Sequence, residues 1–220
     1  MRKLRIVLSA VAVFAASLGH STVTAASGFE AELLALQQAW AQANYETPKG
    51  EAQLKAFEQL EARAENLTRA HPGRAEALIW EGIIESSYAG AKGGLGALSL
   101  AKEARRNLEA ALAIDPSALD GSAYTSLGTL YYKVPGFPLG FGDRQKAEEL
   151  LGKALKINPD GIDPNYFYGE LLYEQGRYRE ALEHLERAAR AQPRPGRELA
   201  DRGRHAEIRA LADKTRAKMG

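Results

Sequence analysis

One pattern constrains this chain more than any other. Three segments align without gaps: AKEARRNLEAALAIDP, ending at Pro116; RQKAEELLGKALKINP, ending at Pro159; and YREALEHLERAARAQP, ending at Pro193. Each carries an alanine twelve residues before its proline (Ala104, Ala147, Ala181), a leucine eight before (Leu108, Leu151, Leu185) and an alanine five before (Ala111, Ala154, Ala188). Those spacings put small, large and small side chains on one face of a helix. Small residues let a neighbouring helix approach closely. Proline cannot donate to the helical ladder, so it marks the turn into the next element.

A second helix precedes each segment, built around a glycine: ALIWEGIIE with Gly82, AYTSLGTLYY with Gly128 and NYFYGELLY with Gly169. Glycine inside a helix costs about 1 kcal/mol relative to alanine. Its recurrence predicts a crossing point where two helices pack tightly. The breaks between helices are short and rich in Pro, Gly, Asp and Asn, and no alternating strand pattern intervenes.

The unit from Gly169 to Pro193, with its turn at Gly176 and Tyr178, resembles the 34-residue tetratricopeptide repeat. Prolines at 72, 116, 159 and 193 close four units with spacings of 44, 43 and 34 residues. The first unit, from about Phe29 to Pro72, is degenerate, with Leu60 and Leu67 where the others have alanine. From glycine to alanine the last unit spans 12 residues, the third 19 and the second 22, so two insertions fall between the paired helices. The stretch from Arg194 to Gly220 reads as a polar-backed capping helix carrying Leu199, Ile208 and Leu211. The expected fold is an all-α, right-handed tetratricopeptide-type solenoid over residues 27–193, with a cap over 194–220.

Residues 1–26 read as a cleavable secretory signal. Arg2, Lys3 and Arg5 precede an apolar run from Ile6 to Leu18, and small residues at Val23-Thr24-Ala25-Ala26 suit cleavage after Ala25 or Ala26. The expected location is the periplasm. The chain has no cysteine, which removes disulfides, thiol chemistry and a lipoprotein anchor. The whole chain has 29 Lys+Arg against 28 Asp+Glu; without the first 26 residues the count is 26 against 28. That balance gives no electrostatic reason to bind nucleic acid or anionic lipid, so membrane association is expected only through a partner.

Chemistry-bearing motifs are absent. His71, His184 and His205 stand at no metal-ligand spacing, and His184 reads as a solvated helix residue. No nucleophile elbow or phosphate loop occurs, and Gly93-Gly94-Leu95-Gly96 reads as a flexible insertion. No enzymatic activity, metal or cofactor is expected. Asp163-Pro164 reads as a helix cap and first helical residue.

Two features point to binding. The first helices of the repeats should line a concave face, which nominates Ile79 and Ile83, then Thr125, Thr129 and Tyr132, then Tyr166, Glu170 and Tyr173. Ten aromatics lie between Tyr124 and Tyr178, and tyrosine suits recognition because it offers contact area with a polar tip. The second feature is the insertion from Lys133 to Asp143. Its Phe137, Leu139 and Phe141 either tuck over their own repeat, with Asp143 capping the next helix, or form a lip over a binding site.

The stretches ALDGSAYTSLGTLYYKVPGFPLGFGD and INPDGIDPNYFYGELLYEQGRYREALEHLERA resemble the T-component family of tripartite ATP-independent periplasmic (TRAP) transporters. The resemblance implies a non-catalytic periplasmic scaffold that associates with a substrate-binding protein and assists uptake of a small hydrophobic solute. The concave face would hold a protein partner or an extended peptide, and self-association into a homo-oligomer is compatible with it. The alternative is a generic tetratricopeptide adaptor in envelope assembly or secretion, with no solute ligand.

Overall fold

The computed structural model describes residues 21–220. Most of the expected signal segment, residues 1–26, lies outside them. The described residues form nine helices: α1 Ser21–Tyr45, α2 Glu51–Ala70, α3 Ala75–Lys92, α4 Gly94–Ile114, α5 Ala118–Lys133, α6 Arg144–Ile157, α7 Ile162–Glu174, α8 Tyr178–Ala189 and α9 Glu198–Ala217. Successive helices pair as hairpins (α1 with α2, α3 with α4, α5 with α6, α7 with α8), and the hairpins stack in chain order. None of these helices is long and apolar enough to cross a membrane.

The recurring sequence pattern has a recurring geometry. A Cβ added at Gly82 would stand 2.8 Å from Leu108 Cγ and 3.1 Å from the Ala104 carbonyl. At Gly128 it would meet Leu151 Cγ at 2.8 Å and the Ala147 carbonyl at 3.2 Å, and at Gly169 Leu185 Cγ at 3.0 Å and the Ala181 carbonyl at 3.1 Å. The second, third and fourth hairpins therefore each close by seating a leucine against a bare glycine. The six patterned alanines and three leucines are fully buried.

The two insertions are accommodated differently. The second hairpin lengthens its helices, to 18 residues in α3 and 21 in α4, against 13 in α7 and 12 in α8. Gly93 and Gly94 reverse the chain between them with φ of 62° and 63°, so these glycines build a sharp corner and not the expected flexible insertion. The third hairpin keeps a loop. It folds on itself through Gly142 N–H to the Pro135 carbonyl (2.9 Å) and Asp143 N–H to the Tyr131 carbonyl (2.8 Å). Asp143 caps α6 as expected, accepting from the Gln145 and Lys146 amides at 2.9 and 3.0 Å.

The last helix closes the array on itself. α9 packs on α8 and α7, and also against α1 at the far end of the chain. Gln38 donates to the Gly196 carbonyl (3.2 Å), and Gly203 lies so close beneath the Tyr45 ring that a Cβ there would be 2.4 Å from it. The capping segment thus joins the last repeat to the first.

Candidate binding cavity and the charged closure

Joining α9 to α1 converts the concave face into a walled cavity of about 1580 Å³, with residues from the helices and from the α5–α6 loop around it. Its apolar wall includes Trp40, Phe57, Trp80, Ile83, Leu98 and Phe167. Trp40 is fixed by donating from Nε1 to Ser87 Oγ (2.9 Å) and by edge-on contact with Trp80. One rim is left-handed backbone: Leu119, Asp120 and Gly121 all have positive φ (48°, 56° and 74°), and Leu119 and Asp120 face the cavity. Non-glycine residues pay for that conformation, and such strain concentrates at functional sites.

The nominated residues divide. Ile83, Thr125, Thr129, Tyr166, Glu170 and Leu139 line the cavity. Ile79 is fully buried in the core, one turn behind the wall. Tyr132 is also buried; its hydroxyl donates to Glu170 Oε2 at 2.6 Å, so it positions a cavity carboxylate from behind. Burial, then the Glu170 charge, raise the Tyr132 phenol above its usual range. Tyr173 packs against Tyr178 away from the cavity. In the loop, Phe141 lies edge-on to Tyr131 and under the Arg105 guanidinium, the satellite-core arrangement. Leu139 sits at the cavity edge, and Phe137 projects outward, 93% exposed.

The cavity's charged side was not nominated from sequence. Asp163 does not cap α7, where Gly161 holds the cap position. Its carboxylate receives Arg194 Nη1 at 2.6 Å and Arg204 Nε at 2.8 Å. Arg194 continues to Asp201 and Arg204 to Glu207 (2.6 Å each). Arg204 is buried, stacked on Tyr166 and Phe167 at 4.5 Å from each ring. Burial opposes ionisation of Asp163, but the charges of Arg204 and Arg194 outweigh it and hold the carboxyl well below the usual range. This network ties α7 to α9 and extends to α1, because the Tyr45 hydroxyl meets Glu207 at 3.4 Å. Sequence offered only isolated arginines after Pro193; nothing in their spacing matches them to Asp163.

Arg197 is the exception in this network. Its guanidinium lies over Trp80, 4.8 Å from the ring, and faces the cavity. Among the described residues its buried Nε has no hydrogen-bond partner. Burial first, then the like charge of Arg194, push it down to about 10. An arginine that still carries its charge in such a place presents unmet hydrogen-bonding capacity to whatever enters.

His184 also departs from expectation. It is half-buried, edge-on to Tyr168, and its Nδ1 donates to Asn165 Oδ1 at 2.9 Å. Asn165 is itself fully buried and donates to the Pro159 and Gly161 carbonyls (2.8 and 2.9 Å). The pair fixes the turn into α7; burial lowers the His184 pKa.

Comparison with known proteins bears on the repeat fold. Residues 139–212 match the model of the tetratricopeptide repeat. That stretch is similar to the tetratricopeptide repeat and covers about the last third of the chain. A thermophilic tetratricopeptide protein of Thermus thermophilus superposes with a TM-score of 0.53 at 19% identity, over 83% of this chain and all of that one. MamA aligns with a TM-score of 0.44 at 20% identity, over 75% of this chain and 90% of its own. PilF of Pseudomonas aeruginosa aligns with a TM-score of 0.35 at 15% identity, over 85% and 93%. No curated protein matches the chain significantly. The tetratricopeptide fold matches the expected all-α repeat architecture. A tetratricopeptide array presents side chains on a scaffold, and its usual role is non-catalytic.

Proposed function

We propose that this tetratricopeptide scaffold is a periplasmic binding protein of the TRAP T-component type. It recruits a protein partner, a substrate-binding protein in that reading, and holds a small hydrophobic solute in its cavity. The observation that carries the proposal is the closure of α9 onto α1. An open tetratricopeptide groove suits an extended peptide; a walled cavity with Trp40, Phe57 and Trp80 in its lining suits a compact apolar solute. Arg197 adds a preference for an acidic head group, because a carboxylate there would pair a guanidinium whose Nε has no hydrogen-bond partner among the described residues.

The chain has two tryptophans, and both line the cavity. Titration with decanoate and with decanol, read by tryptophan fluorescence, therefore reports on this site. The expected result is saturable binding of both, with decanoate tighter. Arg197→Met should weaken decanoate about tenfold or more, the cost of losing a charge-assisted pair, and leave decanol nearly unchanged. If neither compound changes the fluorescence saturably, the solute reading fails and the adaptor reading without a solute takes its place.

A further inference from the structure

The charge on the cavity lining runs against the charge of the chain. Residues 27–220 carry 26 Lys+Arg against 28 Asp+Glu, yet the lining carries seven Lys/Arg against five Asp/Glu. The excess comes from one stretch. From Arg187, in the last turn of α8, to Arg197, just before α9, the chain presents four arginines and Gln192 to the cavity. That stretch contains no acid.

Most other charges on the cavity are already matched. Asp163 is held by Arg194 and Arg204, Glu207 by Arg204, and Glu170 by Lys133 at 2.9 Å. Arg194 is shared between Asp163 and Asp201, at 2.6 Å from each. The two acids left on the lining, Asp120 and Asp160, are exposed. Arg187, Arg190 and Arg197 remain. Arg187 and Arg190 are exposed, and neither enters an ion pair or a side-chain hydrogen bond among the described residues. They stand three residues apart, a spacing that makes side chains neighbours at a helix end. The Arg197 amide donates to the Arg194 carbonyl at 3.0 Å, so the linker turns back before α9. Arg197 lies over Trp80 and thereby joins this cationic edge to the aromatic wall.

A carboxylate has two oxygens, and a single guanidinium fork takes both. Three arginines on one edge offer more donors than a carboxylate can use. A phosphate monoester presents three terminal oxygens and close to two negative charges, and arginine forks match its geometry. We infer that the edge from Arg187 to Arg197 is the head-group site for a phosphate monoester, whose alkyl chain lies along Trp80 and Trp40. The assignment rests on the solute reading and narrows its ligand to a phosphate-headed amphiphile.

Decanol, decanoate and decyl phosphate share one chain length and differ in head group. The test titrates each below its micelle concentration, read by tryptophan fluorescence at about pH 8, where the phosphate is a dianion. Exposed ion pairs each add at most about fivefold, so decyl phosphate should bind about fivefold or more tighter than decanoate. The double variant Arg187→Gln/Arg190→Gln alters two exposed positions and should keep the wild-type Tm. It should bring decyl phosphate to within about twofold of decanoate. Arg209→Gln, exposed on α9 and off the cavity, should change neither affinity. Inorganic phosphate has no chain for the aromatic wall, so it should displace decyl phosphate only at far higher concentration. Displacement at equal concentration would overturn the amphiphile in favour of the free anion. Saturable decanoate binding with decyl phosphate no tighter would overturn the head-group site and leave the solute reading standing, as would a double variant that keeps the full phosphate advantage. No saturable binding of any of the three would overturn both.

Discussion

The repeat joints and the ring closure solve the same problem with different forces. Inside the array, Gly82, Gly128 and Gly169 each seat a leucine whose Cγ would stand 2.8 to 3.0 Å from an added Cβ, and three joints share one geometry. At the ends, α9 meets α7 and α1 through Asp163, Arg194, Arg204 and Glu207, an arrangement made once. Packing can be copied from repeat to repeat because each unit presents the same face. Closure joins unlike surfaces, so it depends on particular charges. The difference predicts that the two regions fail separately.

The largest effect should come from Asp163→Ala. It strips the shared anion from Arg204, which is buried, and from Arg194. Removing one partner of a buried pair costs several kcal/mol, and with Asp163 partly exposed the loss should be about 3 kcal/mol. Amide hydrogen exchange should then show α9 opening before the repeats. If α9 and α5–α6 lose protection together, the closure is not a separate unit.

Acidity should act on the two regions with opposite signs. Asp163 has a depressed pKa in the folded chain, so its contribution is complete above its unfolded value, about 4, and is lost as pH falls through the lower folded value. Glu85 is buried on α3, where Asn107 donates to both its oxygens. Burial raises its pKa against those hydrogen bonds, so its contribution is complete below the unfolded value and is lost as pH rises toward about 8. Tm should therefore decline between about pH 4.5 and pH 8, and Glu85→Gln should flatten that slope. An unchanged slope in the variant would assign the pH dependence to other groups.

A pair of alanine substitutions sharpens the repeat side. Gly128→Ala gains about 1 kcal/mol of helix propensity but pushes a methyl to 2.8 Å from Leu151 Cγ. Overpacking should win, for a net loss of about 1–2 kcal/mol. Gly152, inside α6, has nothing within 4 Å of an added Cβ, so Gly152→Ala should stabilise by about 1 kcal/mol. Denaturant melts of the two variants should move in opposite directions.

These regions also differ in how far the sequence disclosed them. A joint repeated three times leaves a statistical trace: glycine, alanine, leucine and proline at fixed intervals. The helical order, the buried alanines and the tight crossings were legible for that reason, as was the Asp143 cap, which is local. The closure leaves no trace because its partners are distant: Asp163 and Arg204 are 41 residues apart, and Tyr45 and Glu207 162. Local reasoning assigned Asp163 to a cap and His184 to solvent because their partners could not be seen. The concave face was half legible: Ile83, Thr125, Thr129, Tyr166 and Glu170 follow from helix position. Tyr132 and Tyr173 fall behind or beside the wall, because Tyr132 is buried against Glu170 and Tyr173 packs on Tyr178.

The smallest expected effects separate the two phenylalanines of the α5–α6 loop. Phe141 contacts Tyr131 at 5.5 Å and carries Arg105 at 4.6 Å from its ring, so Phe141→Ala should cost about 1 kcal/mol through the lost aromatic and cation contacts. Phe137 is 93% exposed at the loop tip, and Phe137→Ser should change stability by less than about 0.5 kcal/mol. The neighbouring Leu139 is 73% exposed although it reaches the cavity edge. A serine at 137 removes an exposed apolar group without touching a packed one. If Phe137→Ser leaves the melt intact and also leaves decanoate titration unchanged, the loop's contribution to the cavity ends at Leu139. If it leaves the melt intact but weakens decanoate, then Phe137 reaches the solute only in the bound state, and the closed array keeps one movable wall beside its fixed ones.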